Sequence, residues 1–314
     1  MIYLINKSLS LVLLCLLSIT TLFLSELQAK ELISPSCEAL IESKAATTEV
    51  VNGKGLLWKI TKGNNEANYL FGTIHVSDSD VTTLPDLVDK ALNGSEQFVM
   101  EALPDAAEML SFSQLMFFKD GQRLEQLIDA PLYKETKSIL SAYHLGPDAV
   151  SVMKPWAAFL LMNYPPEPGA ALDLVLLSQA QQNGATVAGL ESMQEQATIF
   201  SDLKMDEQIK LLTDTVCHYD IVEQDFNAMK AFYLKRDLAG LYNYTQRFTM
   251  SEAPVYEKLM KKLIDDRNKN MTERMQAMLD KGKAFIAIGA LHLPGKEGVL
   301  ALLERKGYSV TAIY

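Results

Sequence analysis

Cations are in deficit in this chain, histidine is scarce and cysteine nearly absent: 29 Lys and Arg face 39 Asp and Glu, with 4 His and 3 Cys in 314 residues. A protein that grips a nucleic-acid backbone needs clustered Lys and Arg to displace counterions. The only basic cluster, Lys258 with Lys261 and Lys262, sits among acids at helical spacing and reads as a solvated helix face. With a net charge of -10, nucleic acid is excluded as a partner. Also missing are a Cys-x-x-Cys pair, a His-Glu-x-x-His helix, a Gly-x-Ser-x-Gly elbow and the glycine loops of nucleotide-binding folds. No run beyond Leu24 is apolar enough to cross a bilayer; Ala157 to Met162 is stopped by Asn163 and by Pro165-Pro166. Fixed-period repeats, low-complexity tracts and Pro-rich linkers are lacking too.

What is present begins with an amino-terminal pattern of one basic residue, Lys7, an apolar stretch from Leu9 to Leu24, and then Ser25-Glu26-Leu27-Gln28-Ala29. That order is a secretory signal, with cleavage expected after Ala29, and it predicts a periplasmic or secreted protein. The alternative is an uncleaved segment that tethers the protein to a membrane, since the run is somewhat short of the roughly 20 residues of a comfortable span. Cys15 lies inside this run without the small residues a lipidation site wants. Cys37 and Cys217 remain. In an oxidising compartment they either pair, closing a loop of about 180 residues for roughly 4 to 5 kcal/mol, or stand as separate thiols with one buried.

Residues 30–314 read as one domain after a signal at 1–29. Leu56 to Thr61 and Asn68 to Thr73 form a hairpin around Lys62-Gly63-Asn64-Asn65, followed by a short helix from Pro85 to Leu92. From about 104 to 282 the apolar period is helical, as in Leu172-Leu176-Leu177-Ala180, with one strand, Ala185 to Leu190, interrupting it. A buried strand from Ala284 to Ile288, a helix over 296–305 and a strand from Tyr308 to Ile313 close the chain. The predicted class is α/β: a central mixed β-sheet built from both chain ends, about 56–103 and 283–314, with flanking helices and a large helical middle segment.

Two of the four histidines occur in the same setting: Gly72-Thr73-Ile74-His75 and Gly289-Ala290-Leu291-His292 each close an apolar run. Glycine there lets the backbone turn or approach a neighbour closely. A third run, Gln97 to Met100, ends in Glu101. Ligand crevices of open α/β sheets lie outside the carboxyl ends of strands, and two imidazoles with one carboxylate make a catalytic metal site with open positions. Alone, either histidine reads as a hydrogen-bonded structural residue, and Glu101 as an exposed loop acid. Glu191 ends its strand as Glu101 does, which makes it a further ligand, a general base, a partner of a histidine, or a cap for the helix after Ser192. Arg267 is either a surface charge or, turned inward, a partner for a carboxylate or a developing oxyanion. His144 and His218 follow no such motif. The methionines, Trp58 and Trp156 read as core, and Asp78 and Asp80 as loop or cap residues.

Leu57-Trp58-Lys59-Ile60, Tyr69 through His75, Val99-Met100-Glu101, Val187 through Ser192 with Glu195-Gln196, Arg267-Asn268 and Phe285 through Gly295 together resemble the TraB/GumN family, which is related to the TIKI metalloproteases. The resemblance runs from about Leu56 to Tyr314. It implies a metal-dependent hydrolase whose ligands map to His75, Glu101 and His292, with a manganese-type or cobalt-type divalent ion, zinc being compatible with the same donors. The expectation is hydrolysis of a peptide or a small amide or ester, with Glu191 as proton acceptor and Arg267 beside it. Two other readings stand next to it: a secreted protein that binds a metal or cofactor without catalysis, and a metal-free esterase-like hydrolase with a histidine as general base.

Overall fold

Strand β7, Ala284–Gly289, comes from the far end of the chain yet lies in the middle of the main sheet. The computed structural model describes residues 37, 41–42, 49–164, 169–246, 248–249 and 254–314, so the predicted amino-terminal signal lies outside the described residues. Eight strands are β1 (Ile41–Glu42), β2 (Leu57–Thr61), β3 (Asn68–Thr73), β4 (Gln97–Ala102), β5 (Thr186–Glu191), β6 (Phe248–Thr249), β7 and β8 (Ser309–Ala312). Six of them form one mixed sheet in the order β5-β4-β7-β3-β2-β8. The four from β5 to β3 run parallel, while β2 pairs antiparallel with β3 and β8. The predicted α/β architecture is thus observed, with both chain ends in the sheet and helices around it. The run Ala284 to Ile288 is fully buried, as a parallel strand covered on both faces should be.

Element boundaries shift modestly from those predicted. The hairpin strands and the Asp86–Asn93 helix match, but β4 and β5 each run on through their glutamates instead of stopping before them. The last helix is shorter, Val299–Arg305. A two-stranded pairing of β1 with β6 was not foreseen; each strand is two residues long, too short for any alternation to show. Near it, Cys37 and Cys217 are joined in a disulfide with Cα atoms 5.6 Å apart, an ordinary separation for the bond. The segment ahead of the sheet is therefore fixed to the helical middle twice.

Buried apolar residues fall in two clusters. One surrounds the sheet, with Leu57, Leu70, Phe98 and Phe285 at its centre. The other lies among the middle helices around Trp156, Leu140 and Leu212. Trp58 and Trp156 are both core residues, as read from the sequence.

The turn into β7 is fixed by side chains reaching from other strands. Asn68, 1 % exposed, accepts from the Ala284 N–H at 2.9 Å and donates to the Leu279 carbonyl at 3.0 Å. Gln97 donates to the Gly282 carbonyl at 2.8 Å, where Gly282 takes φ 83°, a left-handed value that suits glycine at a helix end. Asn68→Ala should strand the buried Ala284 N–H and take from the Leu279 carbonyl one of its two donors, the Gly282 N–H remaining, at a cost of about 1–3 kcal/mol. A urea unfolding curve of the oxidised protein measures this; an unchanged midpoint would show that these bonds do not hold β7 in register.

Candidate active site

Four neighbouring parallel strands deliver the four candidate side chains to one edge. In sheet order β5-β4-β7-β3 they bring Glu191, Glu101, His292 and His75, the last two just beyond their strands. Adjacent strands lie about 4.8 Å apart, so the four form a row across the carboxyl ends. His292 sits on a short 3₁₀ turn, Ala290–His292, and is 4 % exposed. The two motif glycines have ordinary negative φ and serve close approach. A Cβ on Gly72 would come within 2.7 Å of Leu293 and 3.2 Å of the Ala290 backbone, and one on Gly289 within 3.2 Å of the Glu101 carboxylate. Each Gly-x-x-His motif thus makes room for another part of the same site.

Each histidine is oriented by a bond at Nδ1. His75 Nδ1 lies 2.7 Å from Asp173 Oδ2, and the Thr73 hydroxyl donates to Asp173 Oδ1 at 2.7 Å. His292 Nδ1 lies 2.7 Å from Asn268 Oδ1, whose amide nitrogen donates to the Glu297 carbonyl at 2.8 Å. Oxygen acceptors at Nδ1 require a proton there, which leaves each Nε2 free for another partner. His292 Nε2 lies 3.6 Å from Glu101 Oε1. The two rings differ in their hold on a proton. Burial disfavours the His75 cation, but the Asp173 carboxylate and its hydrogen bond outweigh this, Glu101 adds to them, and the pKa is raised to about 9. Burial lowers His292 to about 4 against the pull of Glu101, with Arg267 and His75 adding to the lowering.

Arg267 closes the other side. It follows a π-helical turn, Lys261–Asp266, between Pro254–Met260 and Arg267–Lys281; such turns recur at functional sites and shift which residues face inward. Arg267 and the adjacent Asn268 both point into the site. The guanidinium donates from Nη2 to Glu101 Oε2 at 2.5 Å and from Nε to Glu191 Oε2 at 2.9 Å, and Gln196 bridges the same two carboxylates at longer range. Glu101 also accepts from the Gly289 N–H at 2.7 Å. Burial pushes the Glu101 pKa upward, but His292, Arg267, His75 and the Gly289 N–H together hold it well below the usual carboxylate range. The reading of Arg267 as a surface charge is therefore corrected: its side chain is 12 % exposed and spans two carboxylates.

A cavity of about 340 Å³ opens over the row. His75, Glu101, Arg267, Gly289 and His292 line its polar end, and Tyr164 lies across from His75 with ring centroids 6.1 Å apart. Glu191 does not line the cavity, because Arg267 takes its Oε2 from the cavity side; this removes it from direct contact with a substrate. It does not cap the next helix either, since Ser192 and Glu195 form that capping box. Asp173, Thr73 and Tyr164 were missed by sequence reasoning. Asp173 carries a readable signal: it is the one acid on the apolar stripe of Leu172, Leu176, Leu177 and Ala180, and it is 7 % exposed.

The donors suit a divalent ion in chemistry and partly in position. Two ligands bound about 2.1 Å from one ion at a near-tetrahedral angle lie roughly 3.4 Å apart, close to the separation of His292 Nε2 and Glu101 Oε1. Oriented imidazoles with their other nitrogen on a carboxylate or amide oxygen are the usual supports of such a site. Among the described residues, however, no three of His, Cys, Asp and Glu converge closely enough to hold an ion as they stand. His75, 42 % exposed, and Glu101, held by Arg267, would have to close on it.

Comparison with known proteins places the chain in a family. The model of the TraB/PrgY/gumN family matches residues 56–312. The chain is 24% identical over 251 residues to YbaP of Shigella flexneri, covering 78% of this chain and 90% of that protein. It is 23% identical to metalloprotease TIKI2 of Xenopus tropicalis over 311 residues and to metalloprotease TIKI1 of Homo sapiens over 312. Each alignment takes in 81% of this chain but 59% and 61% of those proteins, so the chain spans about three fifths of their length. No solved structure matches.

Arg267→Met would leave Glu101 and Glu191 buried side by side without a counter-charge. The expected cost near pH 7 is about 3–5 kcal/mol. The sign with pH follows from the carboxylates. In the wild type the lowered Glu101 pKa stabilises the fold above the ordinary carboxylate pKa, and this is lost as pH falls through the folded value. In the variant Glu101 loses the Arg267 charge that helps to lower it and moves upward, so the deficit should shrink towards pH 4, where this carboxylate protonates. Urea unfolding at both pH values tests this; a deficit independent of pH would mean that Arg267 acts by packing alone.

Proposed function

We propose that this chain, which belongs to the TraB/PrgY/gumN family, is a metal-dependent hydrolase of peptide or related amide bonds, with His75, Glu101 and His292 as the ligands of the ion. The observation that carries the reading is the pair of oriented imidazoles, each engaged at Nδ1 by Asp173 or Asn268, with His292 Nε2 turned towards Glu101. The names of the TIKI relatives support it. A bound divalent ion would supply Lewis-acid polarisation of the scissile carbonyl and a more acidic water; manganese, cobalt and zinc are the candidates. Glu101 is the only carboxylate that lines the cavity among the described residues, and its lowered pKa suits an anionic ligand of the ion. Arg267 keeps it anionic and in place, and the guanidinium N–H groups not given to Glu101, Glu191 or the Leu263 carbonyl would be available to a substrate oxygen. Glu191 is then a positioning residue that acts through Arg267. We further propose that the protein works outside the cytoplasm, for which the amino-terminal pattern and the Cys37–Cys217 disulfide speak.

One observation favours a second reading. Thr73, Asp173 and His75 form a hydrogen-bonded chain like that behind a general-base histidine, and Glu101 already has its counter-charge in Arg267. A metal-free hydrolase would use as its base the fraction of His75 that has lost its proton, so its rate would rise with pH towards about 9.

Metal content of the purified protein, read together with cleavage of a peptide library with and without chelator, separates the two. His75→Ala and His292→Ala should abolish retention of the ion, and Asp173→Asn or Asn268→Ala should weaken it by about 10-fold to 100-fold. His144→Ala should retain it fully. Full metal content in both ligand variants would sink the site, and chelator-resistant cleavage lost in Asp173→Asn would favour the metal-free hydrolase.

A further inference from the structure

We infer that the cavity selects a substrate carrying a bulky, uncharged apolar group beside the bond presented to the polar row, an inference that rests on the hydrolase reading. Away from the strand ends, the wall is built by several separate elements. Phe159 comes from Pro155–Met162, Phe200 from Met193–Ser201, Phe226 and Met229 from Tyr219–Leu234, and Leu263 and Ile264 from the π turn. Convergence of side chains from four directions distinguishes a built compartment from the leftover apolar face of one helix.

Charge distribution within the cavity sets the selection. Among the described lining residues the charged groups are His75, Glu101 and Arg267, all at the polar row and all paired. In the helical part the polar lining residues described are Asn163 and Tyr164, both uncharged, so an ammonium or a carboxylate would find hydrogen bonds but no counter-charge there and would lose its water with little compensation. An apolar group gains there by leaving water. Size follows from volume: a cavity of about 150 Å³ accommodates benzene, so 340 Å³ suits an aromatic side chain with a neighbour, or a medium acyl chain. Met229 adapts its shape, so the compartment discriminates by polarity before outline.

The test is calorimetric titration of the mature protein, with chelator present so that binding is read without turnover. The probes are acetylated, amidated tripeptides with Phe, Leu, Lys or Glu at the centre, and N-octanoylglycine amide. The Phe and Leu peptides should bind at least about tenfold more tightly than the Lys and Glu peptides, with a negative heat-capacity change. Ile264→Asp should erase the preference, and Phe226→Ala should weaken Phe more than Leu. Tighter binding of the octanoyl probe than of the Phe peptide would assign the group to an acyl chain, and the reverse to a side chain. Equal binding of charged and apolar peptides, absence of binding by every probe, or a preference unchanged in both folded variants would overturn the inference. The two readings fail separately. Apolar preference without turnover under any ion sinks the hydrolase alone, whereas turnover of Lys, Glu and Phe peptides at equal kcat/KM sinks the selection alone.

Discussion

Everything at the polar end of the cavity depends on β7 entering the sheet between β3 and β4. Those two strands are close in sequence and are themselves not paired; β7 arrives from the end of the chain to separate them. Its insertion brings His292 between Glu101 and His75, which no local segment could do. Because all three strands are parallel, their carboxyl ends share one edge. A displaced β7 would therefore dissolve the site and open the core together, since its apolar run is buried throughout. Such long-range pairing is slow to find, because loop closure must precede the contacts that reward it. The Asn68 and Gln97 bonds at the turn into β7 fix its entry point, and the register carries that precision along the strand to Gly289.

A second constraint is electrostatic. Two buried carboxylates one strand apart repel each other in a poorly solvated place, and Arg267 is the group that makes the arrangement tolerable. Pairing of this kind seldom adds net stability, because the desolvation of three charges consumes most of the attraction. It does fix orientation. The guanidinium is planar, its donors are rigidly spaced, and it meets Glu101 and Glu191 through different nitrogens. The Gly289 backbone then decides which Glu101 oxygen remains towards His292.

Much of this was legible in the sequence because it lies in short, repeated local patterns. The paired Gly-x-x-His motifs, the apolar runs before them and the acids at the ends of β4 and β5 locate four side chains without knowledge of their neighbours. What was not legible depends on strand order and on direction. Sequence gives no sign that β7 sits between β3 and β4, hence none that Glu101 and Glu191 share one arginine. Arg267 lies in a charge-rich helical stretch where helical periodicity makes it a surface residue. The π turn before it breaks that periodicity, and nothing in Lys261 to Asp266 announces the break. Asp173 is the instructive omission: an acid on an apolar stripe demands a buried partner, and a histidine without an assigned support was available.

The two ends of the cavity follow opposite physical rules. At the sheet, every polar side chain named is hydrogen-bonded to another group, so a small displacement breaks several bonds and the geometry is held tightly. At the helices, contacts are dispersive and adaptable, and a shift of Phe226 or Met229 costs little directional energy. A rigid polar end suits chemistry, where misplacement of a reacting group is costly, whereas an adaptable apolar end suits binding of groups that differ in outline. Helices packed by side chains alone can be repacked without touching β3, β4 or β7. The row of Glu101, His292 and His75 can thus be kept while the apolar compartment is reshaped, and under the proposed function the helical middle would set what is bound and the sheet what is done to it.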